Sequence, residues 1–481
     1  MRTLVFGATG YIGTNLVPYL RARGIAVRAA ARNSEVLSGR GWDGVELVTA
    51  DALKPETLPG ALAGVDIAYY LVHSMAAGHD FGRLDLAAAD NFAHAAAEAG
   101  VERIVYLGGL VPPDAGSEHL VSRRDTGGRL RSGSVPVTEI RAGIIVGPGS
   151  AAFEVMRDLV NHLPLMITPR WVDSKAPPIA LDNLLEYLVR LPQQAETAGG
   201  IYDVGGPELL TYREMMRTLA KLLGRPLIIV PVPVLTPGLS AKWLRLVTSV
   251  PTNIARALIE GLTHDIVAND TTARALAPQP LLDFRAAVEA TLAAERANAV
   301  ASRWTEGALM FRDYRPDFAF YAKRISGSAL AAAPIEAVWD QVVRIGGPRG
   351  YFYFNWLWRG REVVDWLVGG PGLRHGRRHP SELRVGDMID SWRVVAIDPP
   401  RRLTLRFGMR APGAGVLEFT LEPLAARQTR ITATSYWHPA GVWGLLYWYA
   451  LAPLHRLVFN GLPRRIAELA EEADRTAPPH G

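Results

Sequence analysis

RTLVFGATGYIGTNLVPYLR, residues 2–21, decides the fold of the first half of the chain. The run Thr3–Phe6 predicts a buried strand, and Tyr11–Arg23 has the spacing of an amphipathic helix. A glycine-rich turn between a strand and a helix lets a diphosphate approach the backbone, and the amides at the helix start face its negative charge. The alternative is a simple tight turn. We predict a dinucleotide site formed by Gly7, Ala8, Thr9, Gly10, Tyr11, Ile12 and Gly13.

The residues that follow repeat this alternation of strand and helix. Strands separated by helices of such length indicate a parallel sheet covered by helices on both faces, a doubly wound Rossmann fold. A long helix is predicted over Leu84–Ala99 and another over Phe284–Ala297. The predicted strands are Thr3–Phe6, Val27–Ala31, Val45–Val48, Ile67–Leu71, Ile104–Leu107, Val135–Ile140 and Ile201–Val204.

The end of the second strand predicts which cofactor is preferred. An acidic residue there would favour NAD through the ribose 2′-hydroxyl. This chain has Arg28 and Arg32 instead, with no carboxylate before Glu35. Paired arginines suit a 2′-phosphate, so we expect NADP(H), with NAD(H) as the alternative. Further cofactor contacts are expected at the ends of the next strands, from Asp51 and Ala52 at the adenine and from Tyr70, Leu71 and Val72 at the nicotinamide.

Five stretches together resemble the extended and atypical short-chain dehydrogenase/reductases. Members of that superfamily include nucleoside-diphosphate-sugar epimerases and NmrA-like redox sensors. The resemblance covers roughly residues 1–295 and implies the strand order of a doubly wound sheet with a nicotinamide cofactor. The stretches are Gly7–Gly13, Val27–Arg32, Ala50-Asp51, Arg141–Gly147 and Tyr202–Gly206.

The catalytic pattern of that superfamily is absent. Its enzymes use Tyr-x-x-x-Lys, in which the lysine lowers the tyrosine pKa for proton exchange with the substrate. Here His119 stands at the tyrosine position and Arg123 at the lysine position, while glycines 108 and 109 occupy the serine region. One reading makes His119 a substitute acid, with Arg123 on the ribose or the substrate oxygen. The other makes both residues structural. His73 and Asp80 are further candidates, His73 as a substrate contact.

The pattern changes after residue 297, so we predict domains at 1–297 and 298–475, with a disordered tail at 476–481. The second domain reads as α+β, a curved antiparallel sheet with an opening helix (Pro334–Val343) and a closing helix (Leu454–Ala473). Nine of the twelve tryptophans lie in the chain from Trp304 onward. The predicted strands are Phe318–Ser326, Met388–Ile397, Arg402–Phe407, Gly415–Glu422 and Thr429–Tyr436.

This second domain resembles the C-terminal domain of YbjT-type putative NAD(P)-binding proteins and, more distantly, the helix-grip fold of START and polyketide-cyclase proteins. The stretches that carry the resemblance are Ala333–Trp339, Val385–Asp387, Asp390–Arg393 and Pro399–Leu403. A helix-grip fold implies a cavity under the last helix, and aromatic walls suit hydrophobic or planar ligands. The alternative is that the aromatic residues fill a core. Trp356 and Trp392 are the candidate substrate contacts. Tyr351–Trp358 is too rich in aromatic residues to be buried on one strand face, which favours an interface or a ligand mouth.

The amino-acid composition excludes several kinds of site and partner. The chain has no cysteine, which excludes disulfides, thiolate catalysis and cysteine metal sites, and we predict no metal centre. A net charge of +5 is modest for 481 residues and gives no reason to expect nucleic acid as a partner. We expect no signal peptide and a cytoplasmic protein. Gly441–Pro453 is too short to span a bilayer. The aromatic and basic residues of Gly441–Leu462 fit a helix docked within the protein, with peripheral membrane contact as the alternative.

Three functions are compatible with these residues. The first is an NAD(P)H-dependent oxidoreductase acting on a small hydrophobic molecule (quinone-, enone- or polyketide-like) held between the two domains. The second is a protein that senses NADP(H) occupancy without turnover. The third is a nucleoside-diphosphate-sugar epimerase, which the missing tyrosine disfavours. The sequence leaves the oligomeric state open.

Overall fold

The computed structural model describes residues 2–38, 40–72, 81–112, 118–232, 264–296, 322–367, 379 and 381–476. The chain divides into two compact units, with the division between residues 304 and 305. The domain boundary predicted at 297/298 lies outside the described residues, as do residues 477–481 of the predicted tail.

The first unit is built on a seven-stranded parallel sheet with the order β11-β6-β5-β4-β1-β2-β3. This confirms the predicted Rossmann-like fold, and each predicted strand lies within two residues of an observed one. The strands are β1 (Arg2–Phe6), β2 (Ala26–Ala31), β3 (Glu46–Thr49), β4 (Ile67–Tyr70), β5 (Arg103–Gly109), β6 (Val137–Ala142) and β11 (Ile201–Val204).

Helices cover both faces of this sheet because neighbouring residues of each strand point to opposite sides. Val5 packs with the core under α1 and α7, whereas Leu4 and Phe6 pack with the core under α3 and α4. The described helices of this unit are α1 (Tyr11–Arg21), α2 (Ser34–Ser38), α3 (Leu58–Leu62), α4 (Phe81–Glu98), α5 (Glu118–Arg131), α6 (Ala151–His162), α7 (Leu181–Arg190), α8 (Tyr212–Leu223), α9 (Thr271–Leu276) and α10 (Phe284–Arg296).

Three short strand pairs lie beyond β6. Two are parallel and one, β9 with β12, is antiparallel. The strand β12 leads directly into α8, which begins with a capping box between Thr211 and Glu214 and ends at Gly224 in the left-handed region (φ 62°). The strands are β7 (Ile145–Val146), β8 (Leu165–Pro169), β9 (Lys175–Ala176), β10 (Ile179–Ala180), β12 (Leu210–Thr211) and β13 (Ile228–Val232).

The second unit is a six-stranded antiparallel sheet with the order β14-β19-β18-β17-β16-β15. Three helices accompany it: α11 (Ile335–Val342), α12 (Asn355–Leu367) and α13 (Gly441–Thr476). Its core joins Phe419 and Ile431 of the sheet to Phe459 and Ile466 of α13, so the predicted α+β order is confirmed. The strands are β14 (Lys323–Ala331), β15 (Met388–Ile389), β16 (Trp392–Asp398), β17 (Arg402–Phe407), β18 (Gly413–Ala425) and β19 (Gln428–Pro439).

Three predictions for this unit were wrong in extent. The strand predicted at Met388–Ile397 is broken at Asp390, whose φ of 53° is incompatible with an extended strand. The first strand is described from Lys323 to Ala331 rather than ending at Ser326. The last helix begins at Gly441, thirteen residues before the predicted start, and includes Pro453 and Pro463.

None of the described helices is both long and apolar enough to cross a membrane.

Candidate cofactor and active site

The glycine-rich turn is held between the second strand and the first helix. The amides of Gly7 and Ala8 both donate to the carbonyl of Ala30, at 2.9 and 3.0 Å. The hydroxyl of Thr14, one turn into α1, donates to the carbonyl of Ala8 at 3.0 Å. These bonds fix the turn at the carboxyl end of the sheet, where β1 lies between β2 and β4. This is the switch point at which doubly wound sheets bind their ligands.

Two glycines are required by close backbone contacts. Gly7 has φ of 90°, and a Cβ there would lie 2.9 Å from the carbonyl oxygen of Leu71. A Cβ on Gly13 would lie 2.5 Å from the Gly7 oxygen and 2.7 Å from the Ala8 Cα. Real Cβ atoms do not approach other atoms so closely. The turn, the end of β4 and the start of α1 therefore form one backbone surface, as a diphosphate cradle needs.

The start of α1 is open to an anion. Gly10 is the N-cap residue, and within the described part of the chain no side chain caps the helix. The first-turn amides of a helix have no partner inside the helix, and the helix dipole adds partial positive charge at this end. The residues predicted for the cradle therefore fit the diphosphate of a dinucleotide.

The two arginines expected near the adenosine, Arg28 and Arg32, have different surroundings. Arg28 is only 5% exposed, and its guanidinium is occupied by the carbonyls of Ala61 and Ala63 (both 2.8 Å) and by Glu46 (2.9 Å). The prediction that it pairs with Arg32 on a phosphate was wrong, because four residues along a strand separate the two by about 13 Å. Arg32 itself is exposed at the end of β2.

Arg40 was missed by the sequence reading. Its Nη2 donates to the carbonyl of Thr9 in the glycine-rich turn at 3.0 Å. Its Nε is buried without a hydrogen-bond partner among the described residues, and burial lowers its pKa. No local signal marks this residue, because the loop after α2 brings it back to the turn over a sequence separation of 31 residues.

The other predicted cofactor contacts lie around the same edge. The Oδ1 of Asp51 accepts a hydrogen bond from the Leu53 amide at 3.0 Å. The carbonyl of the buried Ala52 accepts one from the Nδ2 of Asn91 at 2.8 Å. The main chain of Leu71 and Val72 leaves β4 beside Gly7. Tyr70, in contrast, is 1% exposed and packs between Phe6 and Phe92, so its predicted place at the nicotinamide was wrong.

Arg123 lies at the carboxyl end of β5. Its Nη2 donates to the carbonyl of Leu107 at 2.7 Å, and its own carbonyl accepts the hydroxyl of Tyr106 at 2.9 Å. A Cβ on Gly109 would lie 3.2 Å from the Arg123 Nε. The arginine therefore fills the space beside β5 that the missing side chain at 109 leaves. His119 lies in the first turn of α5, four residues earlier.

The buried carboxylate of Glu139 lies close beside Gly108. This carboxylate is 1% exposed and bridges Arg131 and Arg141, at 2.7 Å from the Nε of Arg141. A Cβ on Gly108 would lie 3.1 Å from its Oε1. A buried carboxylate needs paired cations, so the space beside β5 at this position serves an ion-pair network.

The further candidates His73 and Asp80 lie outside the described residues. Within the described ranges, no three histidine, aspartate or glutamate side chains are grouped to hold a metal ion.

The two tryptophans predicted to contact a substrate meet at a cavity inside the second unit. Trp392 is 5% exposed and packs edge-to-face on Trp358 and Phe407. Trp356 is 69% exposed and lies at the rim of the same cavity. Here the aromatic residues are core and cavity wall at once.

A parallel sheet of this order with a diphosphate cradle at its switch point defines a Rossmann domain of the dinucleotide-binding kind. Residues 7–124 match a family model described as NAD(P)H-binding. Residues 321–462 match the model of a protein of unknown function (DUF2867). The chain therefore joins an N-terminal NAD(P)H-binding Rossmann domain to a C-terminal DUF2867 domain.

Two relatives are reductases by name. The (4-alkanoyl-5-oxo-2,5-dihydrofuran-3-yl)methyl phosphate reductase of Streptomyces griseus is 29% identical over 266 residues, which are 53% of this chain and 84% of the relative. The 4-hydroxy-2-methyl-3-oxo-4-farnesyl-3,4-dihydroquinoline-1-oxide ketoreductase of Stigmatella aurantiaca is 33% identical over 110 residues, 22% of this chain. The match spans only 33% of that second enzyme's length.

Solved structures agree on the fold. A triphenylmethane reductase of Citrobacter sp. complexed with NADP(H) superposes with a TM-score of 0.51 at 20% identity, covering 60% of this chain and all of that one. An NADPH-dependent quinone oxidoreductase of Escherichia coli complexed with NADPH gives 0.52 at 19% identity, covering 61% of this chain and all of that one.

Proposed function

We propose that this protein is an NAD(P)H-dependent oxidoreductase that prefers NADPH. The observation that carries the proposal is the backbone cradle, in which Gly7 and Gly13 bring the turn, β4 and α1 into direct contact. The preference for NADPH rests on the cations near the adenosine end. Arg40 is bonded to the turn itself, and Arg32 follows β2. A 2′-phosphate would be held there by charge-assisted hydrogen bonds.

We propose a hydrophobic conjugated carbonyl compound as the substrate, of the quinone, enone or polyketide kind. The name of the Streptomyces relative describes an unsaturated lactone with an acyl side chain, and that of the Stigmatella relative a ketone on a quinoline ring. Both are electron-poor carbonyl systems that can accept a hydride.

The chain's own part in such a reaction is binding, orientation and charge. The nicotinamide, when bound, supplies the hydride. Arg123 commits one nitrogen to Leu107 and keeps its other N–H groups for a carbonyl oxygen, where a fixed cation stabilises developing negative charge. His119, one helical turn before Arg123, is our candidate for the proton donor, with water as the alternative.

A cofactor sensor without turnover is the second candidate. One observation favours it: the position of the superfamily serine is taken up by Glu139, whose carboxylate is bound to two arginines. Cofactor binding would then change the affinity of the protein for another molecule.

For the second unit, we retain the helix-grip fold as a proposal, supported by the long α13 packed on β14 and β19.

The two candidates are separated by one set of measurements on the full chain. NADPH and NADH binding is measured by calorimetry, and NADPH consumption is followed with menadione, cyclohexenone and a 2(5H)-furanone. We expect NADPH to bind and at least one conjugated carbonyl to be reduced. Tight NADPH binding without consumption of any acceptor would favour the sensor, and failure of both cofactors to bind would remove both candidates.

A further inference from the structure

The second unit contains a cavity of about 310 Å³ between its sheet and the helices α12 and α13. The sheet side is formed by Trp392, Phe407 and Trp437, and α13 contributes Trp448. Such a volume is at the lower end of the range for small-molecule sites. A cavity of this size suits a ligand with a single ring or two fused rings rather than a long acyl chain.

One charged side chain reaches into these aromatic walls. The guanidinium carbon of Arg361, on α12, lies 4.5 Å from the ring centroid of Phe407, and its Nη2 donates to the hydroxyl of Tyr447 at 3.0 Å. None of the ion pairs among the described residues involves Arg361. Residues 368–380, which follow α12, contain no aspartate or glutamate.

Among the described residues, the half-buried Arg361 has no ion-pair partner, and its Nε is buried. Guanidinium remains protonated in proteins, and withdrawing a cation from water without an anion nearby is costly. Contact with the Phe407 ring recovers only part of that cost. An anionic group inside the cavity would supply the missing partner.

Hydrogen-bonding capacity near the arginine is also unmet. In the described part of the chain, Trp358 Nε1 and His455 Nδ1 are buried without hydrogen-bond partners, and both side chains line the cavity. Burial, and after it the charge of Arg361, lower the pKa of His455 to about 4. The histidine is therefore neutral near pH 7, and it adds a polar edge without a second positive charge.

We propose that this cavity binds a flat, apolar molecule that carries one anionic group, such as an aromatic carboxylate, with Arg361 pairing its charge. The aromatic walls receive the ring system, and Arg361 with Tyr447 and His455 forms the polar end. The site lies wholly within the DUF2867 domain, so the proposal does not depend on the proposed oxidoreductase.

The test uses two probes with the same ring system, 2-naphthoate and its uncharged methyl ester. Both are titrated into the full chain while tryptophan emission is followed, because five tryptophans line the cavity. We expect the acid to bind at least tenfold more tightly than the ester. Arg361→Met should weaken the acid at least tenfold and change the ester less than threefold. Arg359→Met, an exposed arginine of the same helix, should change neither.

A second variant covers a failure of Arg361→Met to fold. Ser435 lines the cavity from β19, and Ser435→Phe should abolish binding of both probes by filling the space. NADPH binding is measured on the same samples and should be unchanged in every variant. Loss of NADPH binding by a variant would show that its substitution has disturbed the first unit. Equal affinity for acid and ester, acid binding that survives Arg361→Met, or binding of palmitate in place of naphthoate would each overturn the proposal.

Discussion

The Nη2 of Arg40 donates to the carbonyl oxygen of Thr9 at 3.0 Å, which connects the loop after α2 to the glycine-rich turn. The bond uses one of the five N–H donors of the guanidinium. Among the described residues, Arg40 has this one side-chain hydrogen bond, so in the proposed function its other donors can serve a phosphate.

We predict that Arg40→Met and Arg32→Met each weaken NADPH binding about tenfold to a hundredfold, since one hydrogen bond to a charged group is worth about 1.5–3 kcal/mol. NADH, which has no 2′-phosphate, should lose less affinity, so the ratio of NADPH affinity to NADH affinity (the NADPH/NADH ratio) falls. Calorimetry with both cofactors measures this ratio.

Arg28→Met is the matched control for these variants. Arg28 is bound to Glu46 and to carbonyls at the end of α3, so its loss should lower stability and leave the NADPH/NADH ratio unchanged. If Arg28→Met alone lowers that ratio, Arg28 and not Arg40 reads the phosphate.

Gly13→Ala tests the backbone cradle through the sign of its effect. Inside a helix, replacement of glycine by alanine ordinarily stabilises by about 1 kcal/mol. At Gly13 the new Cβ would meet the Gly7 oxygen at 2.5 Å. Overpacking of this kind costs about 1–3 kcal/mol, so we predict a lower urea midpoint and NADPH affinity reduced at least tenfold.

Gly128→Ala on α5 provides the comparison, because a Cβ there meets nothing within 4 Å. It should raise the urea midpoint slightly and leave NADPH binding intact. Gly13→Ala with wild-type stability and affinity would show that the close approach does not exist.

The glycine-rich turn could be predicted from sequence because its residues are contiguous, although its contacts with Ala30 and Leu71 are not local. Gly7 to Gly13 follow one strand and begin one helix, so spacing alone determines their arrangement. Arg40 could not be predicted in this way, since a loop must return to the turn before it contacts Thr9. Arg28 was misassigned for the opposite reason: it is close to Arg32 in sequence, but its partners lie 33 and 35 residues away, at the end of α3.

In the second unit, local sequence left one helix unpredicted and shortened another. Aromatic residues are enriched in strands, yet those of α12 form a helix that places Trp358 and Arg361 on the cavity. Strand propensity depends on the packing around each residue, so tertiary contacts decide such segments. The last helix was predicted from Leu454, but α13 begins at Gly441, continues through Pro453 and packs along β14 and β19.

His119→Ala tests whether the histidine supplies the proton. A positioned general acid contributes about 10²–10⁴-fold, so kcat with the best acceptor should fall by at least a hundredfold while NADPH affinity is kept. Full turnover by the variant would leave water as the donor.

Arg123 should be essential for its charge at the end of β5. We predict that Arg123→Met lowers kcat about 10²–10³-fold, the usual cost of losing one donor to a developing oxyanion, and that Arg123→Lys recovers part of it. Steady-state kinetics on both variants measure the difference. Gly109→Ala is the control for packing, because its Cβ presses on the Arg123 Nε at 3.2 Å without removing the charge. Equal activities of the Met and Lys variants would assign Arg123 a purely structural role through Leu107.

His455 should make the stability of the second unit sensitive to acid. Burial, followed by the charge of Arg361, lowers its pKa from 6.5 to about 4. The unfolded chain therefore binds a proton below pH 6.5 that the native protein refuses, and stability present above pH 6.5 is lost as the pH falls toward 4. A shift of this size corresponds to at most about 3 kcal/mol.

Urea unfolding at pH 7 and pH 5, followed by tryptophan emission, measures this loss of stability, and His455→Gln should make the loss smaller. Bound 2-naphthoate should also reduce it, because an anion beside Arg361 cancels the charge that disfavours protonated His455; an identical pH dependence with and without the probe would contradict the shared polar end.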